Sequence, residues 1–291
     1  MPTIATARHW ATQKLQQIGI DTAVLDARVL VAWALEKPVT WLYSHPEHSL
    51  SNLEWQAIQH TIDARLNHKP VARIVGEREF WGMTFQVTAA TLDPRADSET
   101  VVSATLHHWP ANGQRILDLG TGTGCLLISL LRERSYAVGL GIDQSSDAVN
   151  VARTNALALG VQDRCHIMPL NWENPSDVTT LRECATFDVI ISNPPYIPSQ
   201  VIGQLAPEVK LYDPHTALDG GPDGLHAYRS IAQLLGSTPL LSDSGIVVVE
   251  VGVDQAPHVA AIFEVHGFFL EAVHEDLQGI QRALVFHKKN L

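Results

Sequence analysis

Along residues 1 to about 72, apolar side chains recur at helical spacing. Ile4, Ala7, Ala11, Leu15 and Ile18 mark one face of a first helix. Asp21 and Thr22 open a second segment that runs from Val24 to Leu35 and is ended by Lys37-Pro38. Ser51-Asn52-Leu53-Glu54 has the form of a capping box, with Trp55, Ile58, Ile62 and Leu66 following on one face. Asn67-His68-Lys69-Pro70 closes the helical part, and a β-hairpin of about fifteen residues leads onward. From about residue 112 the pattern changes, and short apolar runs alternate with helical segments. Strands are predicted near 115–119, 137–142, 165–168, 187–192, 245–251, 268–275 and 282–287. Such alternation implies a mostly parallel sheet with helices on both faces. The last two runs leave no room for a crossover helix, so they are predicted to form an antiparallel hairpin. The expected fold class is α/β: a seven-stranded, mostly parallel, doubly wound, Rossmann-like sheet preceded by a smaller helical bundle and a linking hairpin. The stretch 197–224, rich in Pro, Gly and Asp, has no periodicity and is expected to form a lid.

Composition narrows the classes. The 291 residues suffice for one large or two modest domains, and 45% hydrophobic content allows a full core. Cys125, Cys165 and Cys184 form no C-x-x-C pair, which points to a reduced, cytoplasmic setting without a disulfide framework or cysteine zinc site. Fourteen histidines fall in no ligand spacing, so no metal is expected, and His45-Pro46-Glu47-His48 reads as a polar turn. No run approaches the roughly 18 apolar residues that span a bilayer. The first twenty residues lack acids and carry Arg8 and Lys14, but their helical spacing favours a first helix over a targeting peptide. The net charge of −11 is uneven. Residues 1–90 carry eight basic and eight acidic side chains, and the remainder 12 and 23. A catalytic region this acidic suits a basic protein partner better than a polyanion.

Two motifs carry chemistry. The predicted strand Arg115–Leu119 runs directly into Gly120-Thr121-Gly122-Thr123-Gly124 and then into an apolar helix beginning at Cys125. Glycines at alternate positions let backbone approach a ligand at a helix N-terminus. The next strand ends in Asp143, where an acid can hold ribose hydroxyls. The dinucleotide pattern fails at Cys125, and no Gly-Lys-Ser/Thr follows, so neither NAD nor a phosphate loop is supported. Asp118 would repel a pyrophosphate but is compatible with a cationic sulfonium or amino group, which favours S-adenosylmethionine. The second motif is Asn193-Pro194-Pro195-Tyr196, after the apolar run Phe187–Ser192. Two prolines break the ladder and present Asn193 and Tyr196 at the strand's carboxyl end. The Asn193 side-chain carbonyl and a proline carbonyl could accept both hydrogens of an –NH2 group. Tyr196 supplies a ring face to stack on that plane or to sit near a cationic methyl donor. The residues alone therefore reach methyl transfer to an amide or amino nitrogen. Asp188 reads as a strand-start acid satisfied by backbone N–H groups.

Asp118–Gly124 together with Asn193-Pro194-Pro195-Tyr196-Ile197 resembles the HemK/PrmC family, the protein-glutamine N5-methyltransferases acting on peptide-chain release factors. The likeness extends to Gly76–Gly82, Thr91–Arg95 with Glu99-Thr100, Ala217–Leu225, Glu250-Val251-Gly252 and Asp276–Arg282, nearly the whole chain. Departures sit at Asp93, where the family usually has an apolar residue, and at Ala96, where it usually has proline. The resemblance implies the class I S-adenosylmethionine-dependent methyltransferase variant of the doubly wound fold. It implies a helical substrate-recognition domain at 1–72, a hairpin linker at 73–95 and the methyltransferase domain at 96–291. The implied substrate is the Gly-Gly-Gln glutamine of class I release factors, bound by a monomer with no membrane and no stable nucleic-acid partner. The implied catalytic residues are Asn193, Pro194, Pro195 and Tyr196. The implied cofactor residues are Gly120, Thr121, Gly122, Thr123, Gly124, Asp143, Trp172 and Asn193, with Trp172 beside the adenine. The first rival is a nucleic-acid amino-methyltransferase using the same motif on a flipped base. A nicotinamide oxidoreductase and a non-catalytic binding module are further alternatives.

Overall fold

The computed structural model describes residues 1–184 and 186–289. The chain forms two compact units. The first holds Met1–Glu77 and a later segment, Ala206–Tyr212, and the second holds Arg78–Leu205 and Asp213–Leu291.

In the first unit, helices α1 (Ile4–Gln17), α2 (Ala23–Ala34), α3 (Val39–Ser44), α4 (Asn52–Leu66) and α5 (Val71–Val75) enclose one apolar cluster. Ser51 caps α4 in the predicted box: its hydroxyl accepts from Glu54 N, and Glu54 accepts in return from Ser51 N at 2.8 Å. Thr3 and Thr6 make an equivalent box on α1. Ile4, Ala7, Ala11 and Leu15 face the core, while Ile18 is exposed at the helix end. His45–His48 is a turn, as its polarity predicts. Inside the cluster's edge, Arg65 Nε donates to Asp26 at 2.7 Å, and both side chains are buried. The later segment carries Glu208, which accepts from Arg65 Nη1 at 3.0 Å.

The hairpin comprises β1 (Glu77–Phe80) and β2 (Met83–Gln86). Then follow α6 (Glu99–His107), β3 (Arg115–Leu119), α7 (Cys125–Glu133), β4 (Val138–Asp143), α8 (Ser146–Ala158), β5 (Cys165–Pro169), α9 (Pro175–Glu183) and β6 (Phe187–Ser192). After two four-residue helices, α10 (Ser199–Ile202) and α11 (Pro207–Lys210), come α12 (His226–Ser237), β7 (Leu241–Glu250), α13 (Ala256–Val265), β8 (Phe268–Glu275) and β9 (Gln281–Lys288). The seven-stranded sheet has the order β5-β4-β3-β6-β7-β9-β8. Pairings from β5 through β7 are parallel, and β9 is antiparallel to both neighbours, as the missing crossover predicts.

Alternation along each strand divides the core. Ile116, Val189, Ile191, Ile246 and Val248 pack on one face with α6, α7 and α8, and Leu117, Ile190, Val247 and Val249 on the other with α12 and α13. Both faces are covered, which is why these strands read as continuous apolar runs. Asp188 is the exception at a strand start. Its Oδ2 accepts from Gln114 N and Arg115 N, and its Oδ1 from Ser242, so it serves as the backbone-satisfied acid that its position predicts.

Candidate active site

Strand order decides where the chemistry can sit. β3 and β6 are neighbours in parallel register, with Leu119 opposite Ser192. The glycine loop therefore begins at Gly120 and the proline loop at Asn193, one step past a paired position. Ser192 Oγ donates to Leu119 O at 2.7 Å and locks the two strand ends together. Both loops line one cavity of about 370 Å³, within the range of small-molecule sites.

The glycine loop is held from three directions. Gly120 N and Thr121 N both donate to Ile142 O at 2.9 Å, which closes the loop on β4. Gly122 N donates to Asp143 Oδ2 at 3.0 Å, and Asp143 Oδ1 accepts from Ser145 N at 2.9 Å. Asn155 of α8 donates to Thr123 O at 2.9 Å and exchanges hydrogen bonds with Gln86 of β2. Gly120, Gly122 and Gly124 all have φ between 55° and 80°, so the alternate glycines meet a backbone requirement as well as a spatial one. A side chain on Gly120 would meet the Trp172 ring at 3.5 Å, whereas nothing lies within 4 Å of one on Gly122. The loop is thus walled by an aromatic plane at one glycine and open at the next.

Two acids follow the loop's geometry. Asp143 lines the cavity, and burial raises its carboxyl above the ordinary value against the opposing pull of Ser145 and Gly122 N–H groups. Asp118 is buried, accepts from Thr121 Oγ1 at 2.7 Å and is pushed up to about 7, chiefly by burial. It is outside the cavity lining and supports Thr121 from the core. Cys125, at the third dinucleotide position, is pushed up to about 12 by burial and stays a thiol.

On the proline loop, Asn193 is half-buried and lines the cavity with Pro195, while Nδ2 donates to Ser98 Oγ at 3.1 Å. Pro194 is buried. Tyr196 packs against the core cluster under α12 and α13, and its hydroxyl donates to Glu250 Oε1 at 3.4 Å. Burial raises its phenol further above the ordinary value. Beyond the loop, Ile197 N donates to Leu218 O and Gly220 N to Ile197 O, and Ser199 donates to Asp219 Oδ1 at 2.6 Å. These bonds bring Pro214–Ala217 and Asp219 onto the cavity rim. Arg95 also lines the cavity and donates to buried Asp213, next to that rim, at 2.7 Å.

Residues 6–76 match the PrmC N-terminal domain family, and residues 96–207 match the methyltransferase small domain family. A release factor glutamine methyltransferase of Rhodospirillum rubrum is 40% identical over 95% of this chain and 82% of its own length. One from Agrobacterium fabrum is 39% identical over 98% of both. The chain belongs to the release factor glutamine methyltransferase family. The likeness extends to part of a longer chain: a bifunctional methyltransferase of Rickettsia felis is 36% identical over 97% of this chain but 57% of its own. The hMettl16 catalytic domain, solved with MAT2A 3′UTR hairpin 6, shares the fold. Its TM-score is 0.54 at 15% identity, over 73% of this chain and 78% of that one.

Of the residues singled out by sequence, Gly120, Thr121, Gly122, Thr123, Asp143, Trp172, Asn193 and Pro195 meet around the cavity. Gly124 stands one residue behind, as the N-cap of α7. Pro194 and Tyr196 are absent from the lining and belong to the supporting layer. Sequence reasoning missed Ser98, Arg95, Asn155 and Glu250. Ser98, Arg95 and Glu250 sit within or beside segments that carry the family resemblance, while Asn155 had no local signal.

Proposed function

We propose that this chain transfers a methyl group from S-adenosylmethionine to the side-chain amide nitrogen of the glutamine in the Gly-Gly-Gln motif of class I peptide-chain release factors. The observation that carries the reading is the pairing of Leu119 with Ser192, which starts both loops at one sheet edge and on one cavity. The donor fits the residues present. An open face at Gly122, the Asp143 carboxylate and the Trp172 plane match its amino-acid, ribose and adenine parts. When bound, S-adenosylmethionine supplies an electrophilic methyl group on a cationic sulfonium. Gly120–Gly124 and Asp143 would hold it, and Asp118 would steady Thr121 beneath.

An amide nitrogen is a poor nucleophile because its lone pair is delocalised, so orientation is the main help a protein can give. Asn193 Oδ1 and the Pro194 carbonyl would accept the two amide hydrogens, fixing the nitrogen and stabilising the positive charge that develops there. Tyr196 braces this loop through Glu250 and Gln255, whose Nε2 donates to Tyr196 O at 2.9 Å. The product proton leaves to water, so no carboxylate base is needed in the motif. In this reading residues 1–72 recognise the protein substrate, 73–95 link, and 96–291 transfer the methyl group, in a cytoplasmic monomer engaged in translation termination.

Incubating the protein with donor and purified release factor, then locating added methyl mass by peptide mass spectrometry, tests the reading. Methyl on the Gly-Gly-Gln glutamine supports it, and label appearing only in parallel DNA or RNA reactions overturns it. Asn193→Ala should lower turnover at least roughly 100-fold while donor affinity stays within a few-fold.

A further inference from the structure

Helix α8 carries a carboxamide on its apolar, core-facing side. Val149, Val151, Ala152 and Ala156 form that side, and Asn155 stands among them at 1% exposure. A buried amide is costly unless its acceptor and both its protons find partners. Those of Asn155 do. Oδ1 accepts from Gln86 N at 2.8 Å, and Nδ2 donates to Gln86 O at 3.1 Å and to Thr123 O at 2.9 Å. Turning the amide over would set its oxygen against two carbonyls and its nitrogen against an N–H group. The three bonds therefore fix one orientation.

Each partner roots a different wall of the cavity. Thr123 belongs to the glycine loop and lines the cavity. Gln86 ends β2, and Thr88 then turns the chain, its Oγ1 accepting from Ala90 N at 3.2 Å and its carbonyl from Thr91 N at 3.3 Å. Ala90–Arg95 follow directly and line the same cavity. Ser98, three residues on, accepts from Asn193 Nδ2. The packing repeats this link, since Phe85 shares a core cluster with Val149, Ala152 and Ala156, and a side chain on Gly124 would meet Ala152 Cβ at 3.4 Å. Asn155 itself is outside the lining, so it acts only through the chain segments it holds.

We propose that Asn155 is a positioning residue that couples donor binding at the glycine loop to the end of the hairpin at Gln86, where the wall at 90–95 departs. This rests on the reading of the cavity as the donor site. The carboxamide is planar and rigid, so a Thr123 carbonyl fixed by a bound donor holds the amide that pairs with Gln86. A hydroxyl has one proton and could serve only one of the two carbonyls, which is why this position calls for an amide. The coupling is reciprocal: a hairpin held by Asn155 raises donor affinity by the same factor.

Hydrogen exchange followed by mass spectrometry on the full chain, with and without S-adenosylmethionine, tests this, together with donor Kd from calorimetry. In the wild type the donor should slow exchange about 5-fold or more over residues 83–88, none of which lines the cavity, as well as in the glycine loop. Asn155→Ala and Asn155→Leu should keep the slowing at the loop, lose it over 83–88 and bind the donor about 10-fold more weakly. A merely structural amide would leave exchange over 83–88 independent of donor. The wild-type measurement needs no variant, and leucine fills the space of the amide, so the test stands even if the alanine variant folds poorly. The proposal is overturned by a donor that slows the loop but not 83–88 in the wild type, by slowing over 83–88 that persists in both variants, or by an unchanged donor Kd in both. A wild-type chain that binds no donor would overturn the donor reading, and this inference with it.

Discussion

Asp118 and Asp143 lie near the ends of adjacent parallel strands, and the fold gives them opposite tasks. Asp143 faces the cavity with both oxygens engaged by backbone N–H groups, so it anchors Gly122 and still offers lone pairs to a ligand. Asp143→Ala should weaken donor binding by roughly 10- to 100-fold in calorimetry, the size expected for hydrogen bonds to a charged group. Asp118 is buried and near 7, against an ordinary 3.8. Between those values the folded chain keeps a proton that the unfolded chain has released. Its contribution to stability is full below about pH 4 and is lost as pH rises through 7. Asp118→Asn cannot ionise and keeps an acceptor for Thr121. It should raise stability by a few kcal/mol at pH 8 and change it little at pH 4, read from denaturant melts at both. Equal effects at the two pH values would show that the carboxyl is ionised throughout. Both acids were legible as strand-end residues. The inward turn of Asp118 was not, because sequence shows a strand's polarity but not which side chain the loop will cover.

At the level of elements, the glycine loop and the Pro-Pro break were legible because each is imposed locally, by backbone torsion in one and by a missing donor in the other. The sheet's closing hairpin was legible from chain length alone. What fastens these elements is not local. Asn193 meets Ser98 across 95 positions, and Asn155 meets Gln86 across 69. No periodicity encodes such pairs. The helical unit shows the same rule. Trp55, Ile58 and Ile62 were readable as one face of α4, but Arg65 on that helix gave no sign of its partner on α2. Asp26→Ala would leave the Arg65 guanidinium buried with one remaining acceptor, the half-exposed Glu208. A loss of about 3 kcal/mol is expected in chemical denaturation. Glu208→Ala, which keeps the buried pair, should cost about 1 kcal/mol or less.

For the whole molecule, the pattern change near residue 112 announced an α/β body after a helical one, and the structure bears out that order. The path between them was harder to read. Residues 197–224 look like one irregular loop, yet Ala206–Tyr212 belongs to the first compact unit and Pro214–Ala217 with Asp219 to the cavity rim. A four-residue helix such as α11 leaves almost no periodic trace, and its partner Arg65 is 143 positions away. A fragment of residues 78–291 should therefore expose the Ala206–Tyr212 segment, and limited proteolysis should cut it there first while the intact chain resists.

Because Ala206–Tyr212 returns to the helical body, that body is complete only after Tyr212 has been made. A ribosome releasing the chain from its N-terminus delivers α1–α5 early, with Arg65 held by Asp26 alone, and Glu208 arrives after most of the parallel strands. The helical body, translated before the sheet, is thus completed only after β3 to β6 have emerged, when Glu208 reaches Arg65.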